Sequence, residues 1–342
     1  MRINIIGGGL AGCALAFVFK NAGHEPVIYE ASDHLASGAS GNDVGLYNPR
    51  FAAQMDAPSR YYSDAYFMAL KVFEQFGDSI DWNPCGILSL MNTQRKGIRF
   101  RKTAASWGWA QDDMRVLSAS ESSRVSGVEI PCESLYLAKS GIISPKKLCH
   151  QYARGVEVHL NHPVEEEGIL DKGINILACG IGSLRFEAAS KLPLKSVRGQ
   201  VTYVKQNDLM KTLKTVVSYS GYIAPEKGGA HCLGATFQPW LDHADIDNDD
   251  DRLNFENLFD TLPTLRGEYN VVGHRAGVRT ASRDHFPVVG KLNENVFVST
   301  AHGSHGILST LLSANILLNM IDGGGYEGHV DVLNALSPHR FK

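Results

Sequence analysis

The sequence has no long uninterrupted apolar run and no excess of charge of one sign. Its most apolar stretch, residues 307–321, is shorter than the roughly 20 residues that cross a bilayer, and two serines and two asparagines interrupt it. This stretch therefore predicts a buried helix, and we expect no membrane partner. The β-prone run that starts at Arg2 leaves no room ahead of it for a signal peptide, so we expect a cytoplasmic protein.

Cysteine pairs at metal-binding spacing are also absent. The six cysteines lie far apart, with no Cys-x-x-Cys pair and no His/Cys cluster, which excludes a zinc finger and predicts reduced thiols. Residues 245–256 superficially match a calcium loop, but Asp250 stands at the sixth position, where the turn needs glycine. An acidic helix N-terminus explains this segment better, so the sequence predicts no metal site.

The balance of charges leaves the partner undecided. The formal net charge is −3, with 44% hydrophobic and 20% charged residues, as in an ordinary globular enzyme. A protein covered in positive charge is excluded, although a local basic groove could still bind nucleic acid. The densest basic run is 95–102, with Trp107 and Trp109 after it, and it fits either an RNA-binding surface or a solvated helix face.

A glycine loop near the N-terminus carries the clearest signal. The strand-like run 2–6 leads into Gly7-Gly8-Gly9-Leu10-Ala11-Gly12 and then into an apolar helical segment. Gly7 permits a sharp turn, Gly9 lets the backbone approach a pyrophosphate, and Gly12 lets the helix pack closely on the strand. Phosphates would lie at the helix N-terminus, where free N–H groups and the helix dipole favour negative charge.

The next strand, 26–30, ends in a carboxylate, eighteen residues after Gly12. Glu30 suits a ribose diol and would repel a 2′-phosphate, which disfavours NADP. The loop alone leaves FAD and NAD open. Residues 36–45 are small and rich in backbone donors, so they fit either a second phosphate-binding loop or an ordinary surface loop.

The rest of the chain predicts two sheets. Residues 156–160 and 174–180 look like strands that extend a parallel sheet, whereas 197–237 contains β-rich segments separated by glycine, typical of an antiparallel sheet in a second domain. The turn 301–306 opens the last long helix. Its N-terminus could face the electron-rich end of a reduced flavin, or it could be a simple helix entry.

In this order the segments resemble the D-amino-acid-oxidase-like class of FAD enzymes, and more closely the family of FAD-dependent oxidoreductase domains of the tRNA-modification enzyme MnmC. The pieces that carry the resemblance are Gly38-Ala39-Ser40-Gly41-Asn42, Val197-Arg198-Gly199-Gln200, Gly221-Tyr222-Ile223-Ala224-Pro225, Gly234-Ala235-Thr236-Phe237, Gly277-Val278-Arg279, Arg283-Asp284-His285-Phe286-Pro287 and Ser337-Pro338-His339-Arg340-Phe341.

The resemblance implies an α/β fold with a Rossmann-like FAD/NAD(P)-binding domain and an α+β substrate domain whose sheet is mostly antiparallel. We predict the FAD-binding domain at 1–50, 140–200 and 270–342, and the substrate domain at 51–139 and 201–269. The residues predicted to bind FAD are Gly7, Gly9, Leu10, Ala11, Gly12, Glu30, Ala39, Ser40, Gly41, Asn42, Val164, Gly180, Gly303, Ser304, His305 and Gly306.

Two departures from the family pattern are visible. No methyltransferase domain precedes the flavin domain, so we expect a free-standing version, with a separate methyltransferase as a candidate partner. Gly303-Ser304-His305-Gly306 stands where the family carries Gly-Ser-Arg-Gly. A protonated His305 could partly replace the missing arginine.

The reaction implied by the resemblance is oxidation of carboxymethylaminomethyl-(2-thio)uridine at the tRNA wobble position, which yields aminomethyl-(2-thio)uridine and glyoxylate. Arg279 is the candidate clamp for the substrate carboxylate, because a guanidinium fits a carboxylate bidentately; a structural salt bridge is the alternative. Tyr222 could donate a hydrogen bond to the substrate or simply pack in a strand. His285 and His302 could carry protons or be structural, and no general base is assigned.

Two other functions stay open. One is an FAD-dependent oxidase of a free small amine, such as glycine, sarcosine or a D-amino acid, which would use the same fold, cofactor and clamp. The other is an FAD-binding protein with impaired catalysis, a reading that the His305 departure keeps open.

Overall fold

The computed structural model describes residues 1–165, 173–324 and 330–341. Its strands are β1 (Arg2–Ile6), β2 (Glu25–Tyr29), β3 (Gly45–Tyr47), β4 (Ile87–Leu90), β5 (Met114–Leu117), β6 (Ser134–Leu137), β7 (Gly141–Ile143), β8 (Glu157–His159), β9 (Ile174–Leu177), β10 (Leu194–Lys205), β11 (Val216–Ser218), β12 (Tyr222–Ile223), β13 (Ala230–Gly234), β14 (Val271–Ser282), β15 (Val288–Lys291) and β16 (Val296–Thr300). Its helices are α1 (Leu10–Asn21), α2 (Ala57–Phe76), α3 (Gln94–Ser106), α4 (Ala119–Ser126), α5 (Pro145–Tyr152), α6 (Asn248–Thr261), α7 (Gly306–Ile321) and α8 (Val330–Leu336).

The first sheet has the strand order β15-β16-β9-β1-β2-β8. The strands from β16 to β8 pair in parallel, and β15 is antiparallel to β16 at the edge. Ile3 and Ile5 of β1 are fully buried, as expected for a central parallel strand covered on both faces. The predicted contribution of β8 and β9 to a parallel sheet is confirmed. Because α1 connects β1 to β2, the glycine loop lies at the carboxyl end of β1.

Helix α7 is buried in the core. By length and composition, Gly303–Ile321 is long and apolar enough to cross a membrane. In the structure it packs against α1 and α2, and Ile307, Leu311 and Ile316 are buried. The prediction of a buried helix is therefore confirmed, and core packing accounts for the apolar composition.

The second sheet has the strand order β14-β10-β13-β12-β11-β4-β6-β5. All neighbouring strands pair antiparallel except β11 and β4, which are parallel. The mostly antiparallel sheet predicted for the second half is therefore present. The long strands β10 and β14 form its edge nearest the first sheet, with Val197 opposite Arg279 and Gly199 opposite Gly277.

The domain boundaries stay a prediction. The predicted boundary at residue 200 falls inside β10, and both β10 and β14 pair in the second sheet. The second sheet therefore includes β14 and part of β10, which the predicted boundaries assign to the FAD-binding domain. The predicted FAD-binding domain also includes 166–172, 325–329 and 342, which lie outside the described residues.

A buried ion pair explains the acidic segment before α6. Arg198 is completely buried and pairs with Asp250 in the first turn of α6, while its second amino group donates to Gln200 Oε1 at 2.9 Å. Asp247 caps the helix by accepting from the Asp249 N–H at 2.9 Å. The prediction of an acidic helix N-terminus is confirmed, because these carboxylates serve the helix and Arg198.

Candidate active site

A cavity of about 810 Å³ lies at the carboxyl ends of β1, β2 and β9 and extends to β14 and the N-terminus of α7. Its volume falls within the range of about 300–1,000 Å³ that is typical of small-molecule sites. Of the predicted FAD-binding residues, it is lined by Gly7, Gly9, Leu10, Ala11, Glu30, Ala39, Ser40, Asn42, Val164, Gly180, Gly303, Ser304, His305 and Gly306. The three predicted catalytic residues, Arg279, Tyr222 and His305, line it as well.

The glycine loop has the geometry that its sequence predicts. Gly7 has a φ of 112°, and a Cβ there would lie 2.7 Å from the Ala178 carbonyl oxygen. Gly12 lies outside the cavity, where a Cβ would overlap the Gly7 carbonyl oxygen. Gly12 therefore serves close packing of α1 on the loop. The N-terminus of α1 opens on the cavity between Gly9 and Ala11.

Glu30 is buried at the end of β2 and ties two backbone segments together. Its Oε2 accepts from the Gly8 N–H at 2.7 Å, and its Oε1 accepts from the Ser32 N–H at 2.9 Å. Because Glu30 accepts hydrogen bonds from these two backbone N–H groups, it fixes the glycine loop as well as facing the cavity.

We expect Glu30→Gln to weaken FAD binding by about 10- to 100-fold, because an amide nitrogen would face a backbone N–H in place of a charged acceptor. Glu25→Gln, at the exposed start of β2, removes the same charge and should leave the affinity unchanged. Fluorescence titration of the apoproteins with FAD measures both constants. Equal FAD affinity in the two variants would contradict the role of Glu30.

The second loop is held against α1 and β14. Ser40 Oγ accepts from the Leu10 N–H at 3.0 Å, and Arg275 Nη1 donates to Asn42 Oδ1 at 2.9 Å. Gly41 lies outside the cavity, and a Cβ there would overlap the Arg275 guanidinium. Arg275 was missed by the sequence reasoning. Its spacing from Gly277 and Arg279, on the same face of a strand, was the available signal.

Arg279 places a guanidinium at the cavity without a protein partner. The side chain lies over Gly199, where a Cβ would overlap it, so the absence of a side chain on β10 makes room for it. Among the described residues its guanidinium has no hydrogen-bond or ion-pair partner. Burial lowers the pKa of Arg279, with a smaller opposing effect from Tyr222. A partly buried cation without an anion is unfavourable, so this arrangement favours an anionic ligand.

Tyr222 lies next to Arg279 with its hydroxyl directed into the second sheet. The hydroxyl oxygen is 3.6 Å from Cys232 Sγ, and burial raises the pKa of Tyr222 well above its usual value. The phenol is therefore protonated and can donate a hydrogen bond. Its contact with substrate stays a prediction.

His305 is neutral in this structure. Its Nδ1 is 3.1 Å from the Asn48 carbonyl oxygen, which can only accept, so Nδ1 carries the proton and Nε2 is left as an acceptor. Burial, together with the positive charges of Arg50 and Arg279, lowers the pKa of His305 to about 4. The expectation that a protonated His305 replaces the family arginine is therefore wrong at neutral pH. Arg279 supplies a positive charge at this end of the cavity.

His302 is bound on both ring nitrogens. Nδ1 is 2.9 Å from Ser309 Oγ, which itself donates to the His305 carbonyl, and Nε2 is 3.1 Å from Ser299 Oγ. The imidazole therefore bridges β16 and α7, and burial lowers its pKa to about 3. These contacts favour a structural role over proton transfer.

A pH dependence of stability follows from His302. Because its pKa is about 3 in the folded state and near 6.5 when unfolded, the unfolded chain binds more protons between these values, and stability falls as the pH falls. We expect this group to cost about 2 kcal/mol between pH 7 and pH 5. Urea unfolding of the holoprotein and of His302→Gln at both pH values measures it. The same loss of stability in both proteins would contradict this account.

The basic run and its tryptophans separate in the structure. Arg101 of α3 pairs with Glu133, whereas Lys96 and Arg99 line a second cavity. Trp107 is 4% exposed and donates to the Ala52 carbonyl at 3.1 Å, and Trp109 donates inward to a serine hydroxyl. Trp107 therefore belongs to the core and the half-buried Trp109 packs against it, so the suggestion that Trp107 contributes to an RNA surface is wrong.

The cavity suits FAD on three structural observations. The N-terminus of α1 faces the cavity, as a pyrophosphate site requires, and in the described part of the chain only its Leu10 N–H is bonded to a side chain, that of Ser40. A carboxylate, Glu30, lines the same end of the cavity, as a ribose diol requires. At the other end, the N-terminus of α7 contributes the turn Gly303–Gly306. Ile6, Leu46 and Ile181 add apolar lining.

The chain matches the DAO family, FAD dependent oxidoreductase, over residues 2–320. It belongs to this family, its cofactor is FAD, and it is an oxidoreductase. The predicted cofactor and the predicted class of enzyme are both confirmed.

The amino-acid sequence is similar to those of MnmC proteins over nearly the whole chain. The tRNA 5-methylaminomethyl-2-thiouridine biosynthesis bifunctional protein MnmC of Hahella chejuensis (strain KCTC 2396) is 28% identical over 370 residues, covering 98% of this chain and 59% of the relative. The protein of the same name from Idiomarina loihiensis (strain ATCC BAA-735 / DSM 15497 / L2-TR) is 29% identical over 359 residues, covering 99% and 59%. The chain thus spans about three fifths of these relatives, and the predicted resemblance is confirmed.

The fold is shared with solved flavoenzyme structures. Glycine oxidase from Geobacillus kaustophilus superposes with a TM-score of 0.83 at 20% identity, over 99% of both chains. This confirms the predicted D-amino-acid-oxidase-like fold.

Proposed function

We propose that this protein oxidises carboxymethylaminomethyl-(2-thio)uridine at the wobble position of tRNA, releasing the carboxymethyl group as glyoxylate and leaving the aminomethyl base. One observation carries the proposal: the guanidinium of Arg279, which has no hydrogen-bond or ion-pair partner in the described part of the chain, faces the cavity that suits FAD. Such a cation matches the carboxylate of an N-substituted glycine. The similarity to MnmC proteins along 98% of the chain supports tRNA as the carrier of that group.

In the proposed reaction Arg279 binds the substrate carboxylate bidentately and fixes the adjacent CH₂ in the cavity. Bound FAD supplies an acceptor for the hydride from this carbon, which leaves an imine that water hydrolyses to glyoxylate and the amine. Tyr222 lies beside Arg279, and its hydroxyl, which contacts Cys232 Sγ in this structure, is the candidate donor of a hydrogen bond to the same carboxylate. The neutral His305 adds no second positive charge that would compete with Arg279 for the carboxylate. The amine enters unprotonated, so no general base is assigned.

The proposal also covers how FAD is bound, where the protein acts and a candidate partner. The glycine loop and Glu30 hold the adenosine diphosphate half of FAD in the manner of Rossmann-like dinucleotide sites. We place the protein in the cytoplasm, where tRNA is modified. A separate methyltransferase stays a candidate partner.

Anaerobic flavin reduction tests the proposal. The holoprotein is mixed without oxygen with tRNA that carries carboxymethylaminomethyluridine, with unmodified tRNA, and with glycine, sarcosine or a D-amino acid, while the flavin absorbance is followed. We expect bleaching by the modified tRNA alone. Bleaching only by a free amine would favour a small-amine oxidase. Bleaching by dithionite but by none of these substrates would favour an FAD-binding protein with impaired catalysis.

A further inference from the structure

A second cavity of about 440 Å³ adjoins the first. Asn48, Ser218, Tyr219 and His305 line both cavities, so the two share a wall and meet near the His305 ring. The proposed oxidation takes place in the first cavity and does not require the second. Its lining differs from that of the first in being rich in cations.

Three cationic side chains from two parts of the chain line it. Lys96 and Arg99 are three residues apart on α3 and therefore share a face of the helix, and Arg50 comes from the segment after β3. Among the described residues none of the three is ion-paired with a carboxylate. Arg99 Nε is buried without any hydrogen-bond partner.

The remaining bonds of these cations go to neutral oxygens. Lys96 Nζ donates to Asn92 Oδ1 and to the Tyr219 carbonyl, each at 3.0 Å. Arg50 Nη1 donates to a backbone carbonyl at 2.6 Å. Neutral acceptors position the cations but leave their charges uncompensated, so the cavity keeps a positive potential.

Two carboxylates also line the cavity, and both are engaged elsewhere. Asp56 caps α2 by accepting from the Ser59 N–H at 2.9 Å. Asp284 is held bidentately by Arg340, at 2.8 and 3.0 Å. Asp284 is therefore neutralised by a cation outside the cavity, and Asp56 alone stands against three cations.

Arg50 is exposed, but partial burial makes the neighbouring charges of Lys96 and Arg99 unfavourable in the absence of an anion. Burial lowers the pKa of Lys96, and the charge of Arg99 lowers it further. Burial and the charge of Arg95 lower the pKa of Arg99 in the same direction. An anion bound between these side chains would relieve both effects.

We propose that this second cavity binds a backbone phosphate of the RNA chain next to the nucleotide that is oxidised in the first cavity. This inference rests on the proposed function. The two connected cavities fit a substrate with two anionic groups, a carboxylate that binds Arg279 in the first cavity and a second anion that lies in the second cavity. An RNA strand has a phosphodiester at each nucleotide, whereas glycine or sarcosine has no second anionic group. Arginine and lysine are the usual ligands of phosphate oxygens.

Binding of an anticodon stem-loop RNA that lacks the modified uridine tests the inference. Fluorescence anisotropy with the holoprotein gives Kd for the wild type, Lys96→Met and Arg99→Met over a range of salt concentrations. We expect each substitution to raise Kd about five- to tenfold and to reduce the salt slope by about one. Arg99→Lys, which keeps the charge, should retain most of the affinity.

Lys102→Met is the matched control. Lys102 lies on the exposed face of the same helix and does not line the cavity. Its substitution by Met removes the same positive charge as the two test variants. We expect its Kd to stay within about twofold of the wild type. Flavin absorbance and the unfolding temperature show that each variant is folded and loaded.

Equal Kd values for the Lys96, Arg99 and Lys102 variants would overturn the inference. Its failure is distinguishable from failure of the proposed function. If modified tRNA bleaches the flavin while the three variants bind RNA alike, only the phosphate site is wrong. If Lys96→Met and Arg99→Met lose RNA affinity but modified tRNA does not bleach the flavin, the phosphate site stands and the proposed reaction is wrong.

Discussion

Arg279→Met is expected to lower kcat/KM for the modified tRNA by about 10²- to 10³-fold, while the protein keeps its bound FAD. Truncating one partner of a desolvated charge pair leaves the substrate carboxylate uncompensated in the cavity, which typically costs about 2–5 kcal/mol. FAD is retained because the glycine loop and Glu30 lie at the other end of the cavity. Steady-state kinetics measures the loss of activity, and the ratio of flavin to protein absorbance measures the bound FAD.

Two variants sharpen this prediction. Arg279→Lys keeps the charge but not the bidentate geometry, so it should fall between the wild type and Arg279→Met. Arg283→Met, at an exposed position after β14, removes the same charge outside the cavity and should leave kcat/KM unchanged. Unchanged kinetics in Arg279→Met would refute the role of this side chain.

Gly12→Ala is expected to lower the free energy of unfolding by about 3 kcal/mol and to weaken FAD binding. Alanine inside a helix normally stabilises it by about 1 kcal/mol relative to glycine. Here the added Cβ would overlap the Gly7 carbonyl oxygen, a backbone atom that cannot rotate away. Helix α1 must therefore move away from the loop that we assign to the pyrophosphate. Urea unfolding and FAD titration measure the two effects.

Gly38→Ala is the control for this substitution. Gly38 also lines the cavity, but a Cβ there would have no atom within 4 Å and its φ is not positive. We expect its stability to stay within about 0.5 kcal/mol of the wild type. A stability of Gly12→Ala equal to that of Gly38→Ala would show that close packing at Gly12 is unimportant.

The parts of the fold that the sequence predicted are those set by local chemistry. Gly7, Gly9 and Gly12 define a strand, a turn and a helix within twelve residues, and Glu30 ends the next strand. Each role depends on backbone geometry or on a nearby residue, so a short segment contains the signal. The buried helix α7 was predictable for the same reason, because its apolar residues lie within one short segment, although polar residues interrupt it.

The parts that escaped prediction depend on burial and on contacts between distant segments. Arg275 holds Asn42, which is 233 residues away, and no local pattern indicates that contact. The protonation of His305 depends on burial beside Arg50 and Arg279, which the turn sequence does not reveal. Trp107 looked like a surface aromatic after a basic run, yet tertiary packing buries it. Charge state and side-chain direction are set by the assembled fold.

The products of a single reaction test the central claim most directly. tRNA bearing carboxymethylaminomethyluridine is incubated with the holoprotein in air, its nucleosides are separated and identified by mass spectrometry, and glyoxylate is measured in the same sample. We predict loss of the carboxymethylaminomethyl nucleoside, matched by equal amounts of aminomethyl nucleoside and glyoxylate, and much slower conversion by Arg279→Met. An unchanged nucleoside profile with fully FAD-loaded wild-type protein would contradict the proposed function.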